Sequence, residues 1–219
     1  MKFTTSEENY LKNIYHLQVM NDNKVSATML AETVNTKAAS VTDMLKKLHK
    51  KKLLHYEPYK HFYLTETGNK AAIDIIRKHR LWEYFLVNIL KFNWDEVHDI
   101  AEELEHVSST ELVMRLEQFL GFPSFDPHGD PIPNSKGKMP EQAQQNLQTL
   151  PLKKVATVSY IKDQSLAMLD ILAHYNIIIG TRLKVTNRFD FDESVEIKID
   201  KQNAANISKQ VAANIYCTL

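Results

Sequence analysis

Apolar residues recur along this chain first at helical spacing and later in strict alternation, with the change falling in the final third. Tyr10, Ile14 and Leu17 form a stripe that predicts a first helix over 6–20, opened by the capping-box pair Thr5 and Glu8. The polar turn 21–24 ends it. Ser26 is placed to cap a short second helix through Val34, with Leu30 and Val34 facing inward. After a break at Asn35 and Thr36, Val41, Leu45 and Leu48 mark a third helix whose other sides are polar and lysine-rich. LLHYE and HFYL flank Pro58, Tyr59 and Lys60 and read as a β-hairpin.

A long amphipathic helix is predicted from Thr65 through Leu90. Asn93 with Glu96 caps the next helix, and Ser108 with Glu111 caps another through Phe119. Trp82, Phe85, Phe92 and Trp94 exceed the needs of a small helical layer. Part of that aromatic surface is expected at a homodimer interface, with ordinary core packing as the competing use. The segment GFPSFDPHGDPIPNSKGKMP is irregular by its Pro and Gly content. Beyond it VATVSY, RLKVTNR and SVEIKID alternate, with one helix over 165–175, which fits a small closed or half-closed β-barrel. The fold class is therefore mainly α with a small β part. The domains are a head over 1–65, a helical domain over 66–140 and a barrel over 141–219.

Helix, short helix, turn, longer helix and hairpin is the order of a winged helix-turn-helix, whose third helix enters a DNA major groove. The candidate DNA contacts are Ser26 and Thr28 at the second helix, Thr36, Lys37, Ala39, Ser40, Thr42, Lys47 and Lys50 around the third, and Lys60 in the hairpin. Small polar side chains at the start of the third helix reach base edges, while lysines neutralise phosphates without reading sequence. Charge supports this division. Residues 1–66 carry ten lysines against seven acidic groups, whereas 67–140 carry eight basic against twelve acidic groups. A basic head thus precedes an acidic middle, one suited to a polyanion and the other to a cation.

The cation has a candidate site. In HRLWEYFLVNILKFNWDEVHDIAEELEH, residues 79–106, His79 and Glu83 are four apart, and His98, Glu102, Glu105 and His106 follow at offsets of 0, 4, 7 and 8. At about 100° per residue these four share one helical stripe. Carboxylates crowded on one face repel unless a positive charge sits among them, and the stripe has no Lys or Arg. A divalent ion supplies that charge. Asp126 and His128, two apart and held by Pro127, can add ligands from the rigid loop.

Composition removes other classes. Only five glycines occur, which disfavours a Gly-rich nucleotide cradle, and Cys217 is the sole cysteine, which excludes an internal disulfide and a thiolate-rich zinc site. No apolar run reaches membrane-spanning length and MKFTTSEEN has no signal-peptide pattern, so a cytoplasmic location is expected. Two rival functions stay open on the residues alone. A ferritin-like di-metal carboxylate enzyme needs Glu-x-x-His on two helices, and only Glu103 with His106 makes one. A winged-helix regulator sensing an organic ligand in its tail would leave the His/Glu cluster structural.

Taken together, YLKNIY, ASVTDMLKKL, RKHRLWEYFL, VHDIAEELEH and PHGDPIP resemble the DtxR/MntR family of metal-dependent transcriptional repressors over residues 4–135. The tail resembles the SH3-like FeoA-type domain of longer members. The resemblance implies a repressor rather than an enzyme, dimerising through its helical middle domain. Its winged heads would bind a palindromic operator when a divalent metal is held, controlling metal-homeostasis genes. By position, His79, Glu83 and His98 resemble the family's ancillary site, and Glu102, Glu105 and His106 its primary site, completed by residue 9. Asn9 stands there in place of the usual Met or Asp, offering an uncharged amide oxygen. Lys12 occupies the position of a second carboxylate in two-domain manganese regulators, which argues against their binuclear geometry. Asp126 and His128 resemble a Cys-Pro-His loop with Asp replacing Cys, and Asp163 is a further ligand candidate from the tail. Oxygen and imidazole donors suit Mn²⁺, with Fe²⁺ as the alternative, at two ions per subunit.

Overall fold

The structure, a computed structural model, describes residues 3–58, 60–107, 109–199 and 203–219. It divides into two compact units. The first comprises Met1–Trp82, Ala101–Phe122 and Pro133–Met139, and the second Glu83–Ile100, Pro123–Ile132 and Pro140–Leu219. The helices are α1 (Thr5–Met20), α2 (Ala27–Thr33), α3 (Ala38–Lys50), α4 (Glu66–Asn88), α5 (Val97–Val107) and α6 (Thr110–Phe119), followed by α7 (Leu166–His174) and the single-turn α8 (Lys209–Ala212).

In the first unit, α1, α2 and α3 enclose a core of Leu11, Ile14, Leu30, Val41, Leu45 and Leu48, all fully buried. Strands β1 (Leu54–His55) and β2 (Tyr63–Leu64) pair antiparallel, with Leu54 opposite Leu64, and put Leu53, Leu54 and Phe62 into the same core. The turn residue Tyr59 lies outside the described residues.

The α1 cap sits one residue earlier than the sequence predicts. Thr4 and Glu7, which share the T-x-x-E spacing of Thr5 and Glu8, form the reciprocal box: Thr4 N–H donates to Glu7 Oε2 at 2.9 Å and Glu7 N–H to Thr4 Oγ1 at 3.3 Å. That register delivers the Glu7 carboxylate to Lys47 of α3 and to Lys51 at its C-terminal cap, and the one-residue difference is decided by those tertiary partners. At α6 the cap is Ser109, whose Oγ accepts from Leu112 N–H at 3.2 Å. Ser108, the cap expected from sequence, lies outside the described residues.

The second unit holds a six-stranded antiparallel sheet. Its strands are β3 (Gln145–Asn146), β4 (Val155–Ile161), β5 (Arg182–Arg188), β6 (Val195–Ile199), β7 (Ala204–Ile207) and β8 (Ile215–Thr218), in the order β3-β8-β4-β5-β6-β7. Register shifts at Val158/Tyr160 and Val185/Asn187 bend the sheet around Val158, Ile161, Leu172, Val185, Ile197 and Ile215. Of the closed or half-closed barrel expected from the sequence, the closed form is not reached: among the described residues β3 and β7 remain edges, and β3, two residues long, pairs only with β8. Strands β7 and β8 are short four-residue segments that sequence alternation does not flag, yet β8 is flanked by strands on both sides. Cys217 on β8 is fully buried, and burial pushes its thiol up to about 12. Trp94 packs against this core, which takes it out of the aromatic surplus assigned to a dimer surface.

Candidate functional site

Among the described residues, each unit holds within itself a cluster of metal-ligating side chains. In the first unit, α4 carries His79 and α5 carries Glu102, Glu105 and His106. Ligand atoms of His79, Glu102 and Glu105 lie within 4.8 Å of one another. Glu105 is buried; its Oε2 faces His79 Nδ1 at 2.7 Å and its Oε1 accepts from Lys12 Nζ at 2.7 Å. Lys12, on α1, also donates to Glu102 Oε2. His106 Nδ1 is 2.6 Å from Glu8 Oε2, which leaves its Nε2 turned inward, 3.5 Å from Glu105 Oε1. A carboxylate on one imidazole nitrogen fixes the ring and presents the other nitrogen, the usual arrangement of a metal-bound histidine.

In the second unit, Glu83 of α4, Asp126 and His128 bring ligand atoms within 4.8 Å. Glu83 lies between two imidazoles, with Oε1 3.4 Å from His98 Nδ1 and Oε2 3.8 Å from His128 Nδ1. The loop bearing the latter is tightly made. Asp126 Oδ1 accepts from the N–H groups of His128 and Asp130, both at 2.9 Å, and Phe125 bridges to Pro131. Gly129 adopts φ +87° with its α-carbon against the Ser159 carbonyl, a place where any Cβ would collide. His128 stacks on Trp94 with ring centroids 5.7 Å apart, and its Nε2 bonds the Trp94 carbonyl oxygen at 2.9 Å. Burial by itself pushes the His128 imidazole down, but the Glu83 carboxylate, then Asp126 and the Trp94 carbonyl, outweigh it and carry the group up to about 9. Asp163 does not join this group: it is exposed, and its Oδ1 accepts from Ser165 N–H at 2.9 Å.

Three buried atoms test whether these residues fit a metal. Asn9 Oδ1 and His106 Nε2 in the first unit, and His128 Nδ1 in the second, have no hydrogen-bond partner among the described residues. Buried polar atoms are seldom left so. The His106 and His128 atoms lie beside carboxylates, and the donors of the set are oxygen and imidazole, which suit Mn²⁺ or Fe²⁺. The residues fit. The sequence reading did not include Glu8, which orients His106, or the Trp94 carbonyl, which orients His128. Neither carries a motif signal, since both act across more than thirty residues of chain.

The first unit also carries a basic face. Lys37, Ala39, Ser40, Lys47 and Lys50 are exposed on or beside α3, and Thr36 and Thr28 are exposed near it. Ser26 Oγ caps α2 by accepting from Met29 N–H at 3.3 Å, and Thr42 Oγ1 donates to the Ala38 carbonyl at 3.0 Å. Ser26, Thr28, Thr42, Lys46, Lys60 and His61 line a groove of about 1150 Å³ between these helices and the hairpin. His61 is an addition to the sequence-derived set. Lys47 is partly committed, its Nζ lying 3.2 Å from Glu7 Oε1, and Lys60 pairs with Glu57 at 2.5 Å. Burial raises the Glu7 carboxyl, yet Lys51, the Thr4 N–H and Lys47 outweigh it and hold the group at about 2.

Comparison with known proteins agrees with this geometry. "Iron dependent repressor, N-terminal DNA binding domain" matches residues 2–62, "Iron dependent repressor, metal binding and dimerisation domain" matches 65–134, and the FeoA domain matches 145–219. A manganese-dependent transcriptional repressor solved in complex with manganese is 36% identical, with a TM-score of 0.84 over 97% of this chain and 99% of that one. ScaR with bound Zn²⁺ is 31% identical, with a TM-score of 0.75 over 96% of this chain and 98% of that one. The iron-dependent repressor IdeR of Mycobacterium tuberculosis is 36% identical over 126 residues, 58% of this chain and 54% of that protein. The chain thus spans about half the length of the curated relatives it matches. With its DNA-binding, metal-binding and FeoA matches in the same order along the sequence, the chain belongs to the DtxR/MntR family of metal-dependent transcriptional repressors.

Proposed function

We propose that this protein represses metal-homeostasis genes by binding a palindromic operator as a homodimer when loaded with Mn²⁺, or alternatively Fe²⁺. Residues 1–65 bind DNA, 66–140 bind metal and dimerise, and 141–219 form the FeoA-type domain. The first centre is assigned to Asn9, Glu102, Glu105 and His106, with His79 beside Glu105. The second is assigned to Glu83, His98, Asp126 and His128, giving two ions per subunit, and Asp163 is retained as a ligand candidate that must turn from Ser165 to take part. The single observation carrying this reading is the set of buried, unpartnered atoms on Asn9, His106 and His128, the two imidazole nitrogens lying beside carboxylates. Exposed Val107, Leu112, Met114 and Phe119 on α5 and α6 support dimerisation, being apolar surface that a second copy covers. No helix among the described residues is long and apolar enough to cross a membrane, and the cytoplasm is the proposed compartment. The family is one of repressors, so an enzymatic di-metal reading is set aside.

The coupling runs through α1. Glu7 holds Lys47 of α3 and Lys51 at its C-terminal cap, the next residue holds His106 of α5, and Lys12 bonds the α5 carboxylates. One helix therefore grips both the reading helix and the ligand helix. Asn9, Glu102, Glu105 and His106 would hold a divalent ion, whose positive charge would offset the two carboxylates. Fixing α1 on α5 in this way favours one orientation of the heads, in which the two reading helices of a dimer meet successive major grooves about 34 Å apart. Linkage requires operator DNA to tighten metal binding by the same factor.

Operator binding titrated against Mn²⁺ in chelator-buffered solution tests this. Affinity for the operator rises with Mn²⁺ in the native protein, and Glu102→Ala removes that rise while leaving weak, salt-sensitive binding to random DNA. An operator affinity indifferent to Mn²⁺ would refute the function, and a response to an organic effector alone would favour the rival sensor.

A further inference from the structure

The structure sets the Lys12 ammonium directly between two carboxylates assigned to the first centre. Its ammonium bridges Glu102 Oε2 and Glu105 Oε1, and its side chain is only 12% exposed. The bridge answers the charge of the two carboxylates but not every ligand atom beside them. His106 Nε2, 3.5 Å from Glu105 Oε1, stays without a hydrogen-bond partner, although an ammonium has three N–H donors to offer. The carboxylates are thus matched to a monovalent cation, while the remaining donors wait for something with more coordination positions.

We propose that Lys12 is a tethered competitor, the resident cation of the first centre, which sets the metal concentration at which that centre loads. The inference rests on the metal-centre reading above. A divalent ion reaches Glu102 and Glu105 only after the ammonium has left them, so its binding is weakened by the ion pairs it replaces. Lysine suits this role: a compact charge on a flexible four-carbon stem can swing to solvent, where it is strongly hydrated. Tethering keeps it at high effective concentration, so free monovalent cations do not substitute for it.

Calorimetric Mn²⁺ titration of the metal-stripped full chain tests this in the native protein, Lys12→Met, Lys12→Arg and Glu83→Gln. Methionine keeps the stem and removes the charge, and its thioether is a poor ligand for Mn²⁺. Lys12→Met tightens one binding step by about tenfold, the order expected from losing a partly buried ion pair. The step that Glu83→Gln weakens stays unchanged. In chelator, Lys12→Met melts below the native protein, because its carboxylates have lost their counter-charge. Lys12→Arg keeps the native step or weakens it further. Unchanged or weakened Mn²⁺ binding in a folded Lys12→Met overturns the inference and leaves the metal reading standing, as does tightening in Lys12→Arg. Absence of Mn²⁺ binding in all four proteins overturns both.

Discussion

In the first unit the clustered carboxylates are answered by an ammonium carried on α1, whereas in the second Glu83 is answered by the imidazoles of His98 and His128. These counter-charges behave differently. An ammonium cannot ligate and must move bodily to make room for an ion. An imidazole can stay where it is and become a ligand itself. Two centres with similar donor types are therefore expected to load by different routes, one by displacement of a side chain and the other with its side chains in place.

The largest effect expected in this comparison comes from Glu83→Ala. It takes away the carboxylate between the two imidazoles, and we expect about 100-fold or greater weakening of one Mn²⁺ binding step with the other step intact. Calorimetry reads both. Equal weakening of the two steps would show that the centres are not independent. An unchanged titration would exclude Glu83 as a ligand.

Glu7→Gln sharpens the other side, the anchoring of α1. Its folded-state pKa, about 2, lies below the ordinary carboxyl value of 4.5. The ionised form is the one stabilised, so the contribution is fully present above about 4.5 and is lost as pH falls through about 2. Because Lys47 and Lys51 are partly exposed, the expected loss for Glu7→Gln near neutral pH is on the order of 1–2 kcal/mol. Thermal melts between pH 5 and about 2.5 should fall less steeply for the variant than for the native protein. Parallel slopes would remove Glu7 from the account of how the reading helix is held.

The smallest effect concerns the second unit's core. Cys217 is buried with its thiol pushed up to about 12, so iodoacetamide at pH 8 should leave it unmodified until denaturant is added. Rapid modification of the native protein would mean that β8 opens readily.

Much of this was legible in the chain. The stripes of α1 and α3, the cap at Ser26, the hairpin, the irregular Pro/Gly loop and the i,i+4 pairing of His with Glu all depend on neighbours within one or two helical turns, where spacing dictates which side chains share a face. Less legible were features on which local signals are equal or weak. Thr4 with Glu7 and Thr5 with Glu8 are the same motif, and only Lys47 and Lys51 separate them. The strands β7 and β8 are too short to announce themselves, and β8 earns its place from two flanking strands.

By itself, then, the sequence determined which residue types gather on which helical faces, and hence that acidic and imidazole groups would crowd together. Tertiary structure alone decided what answers them: Lys12 reaches across 90 residues to Glu102, Glu8 across 98 to His106, and His128 across 34 to the Trp94 carbonyl. The reason is physical. A helical repeat encodes direction about its own axis, but the partner met in that direction depends on how separate helices pack, and packing is settled by the summed burial of the core rather than by any local pattern.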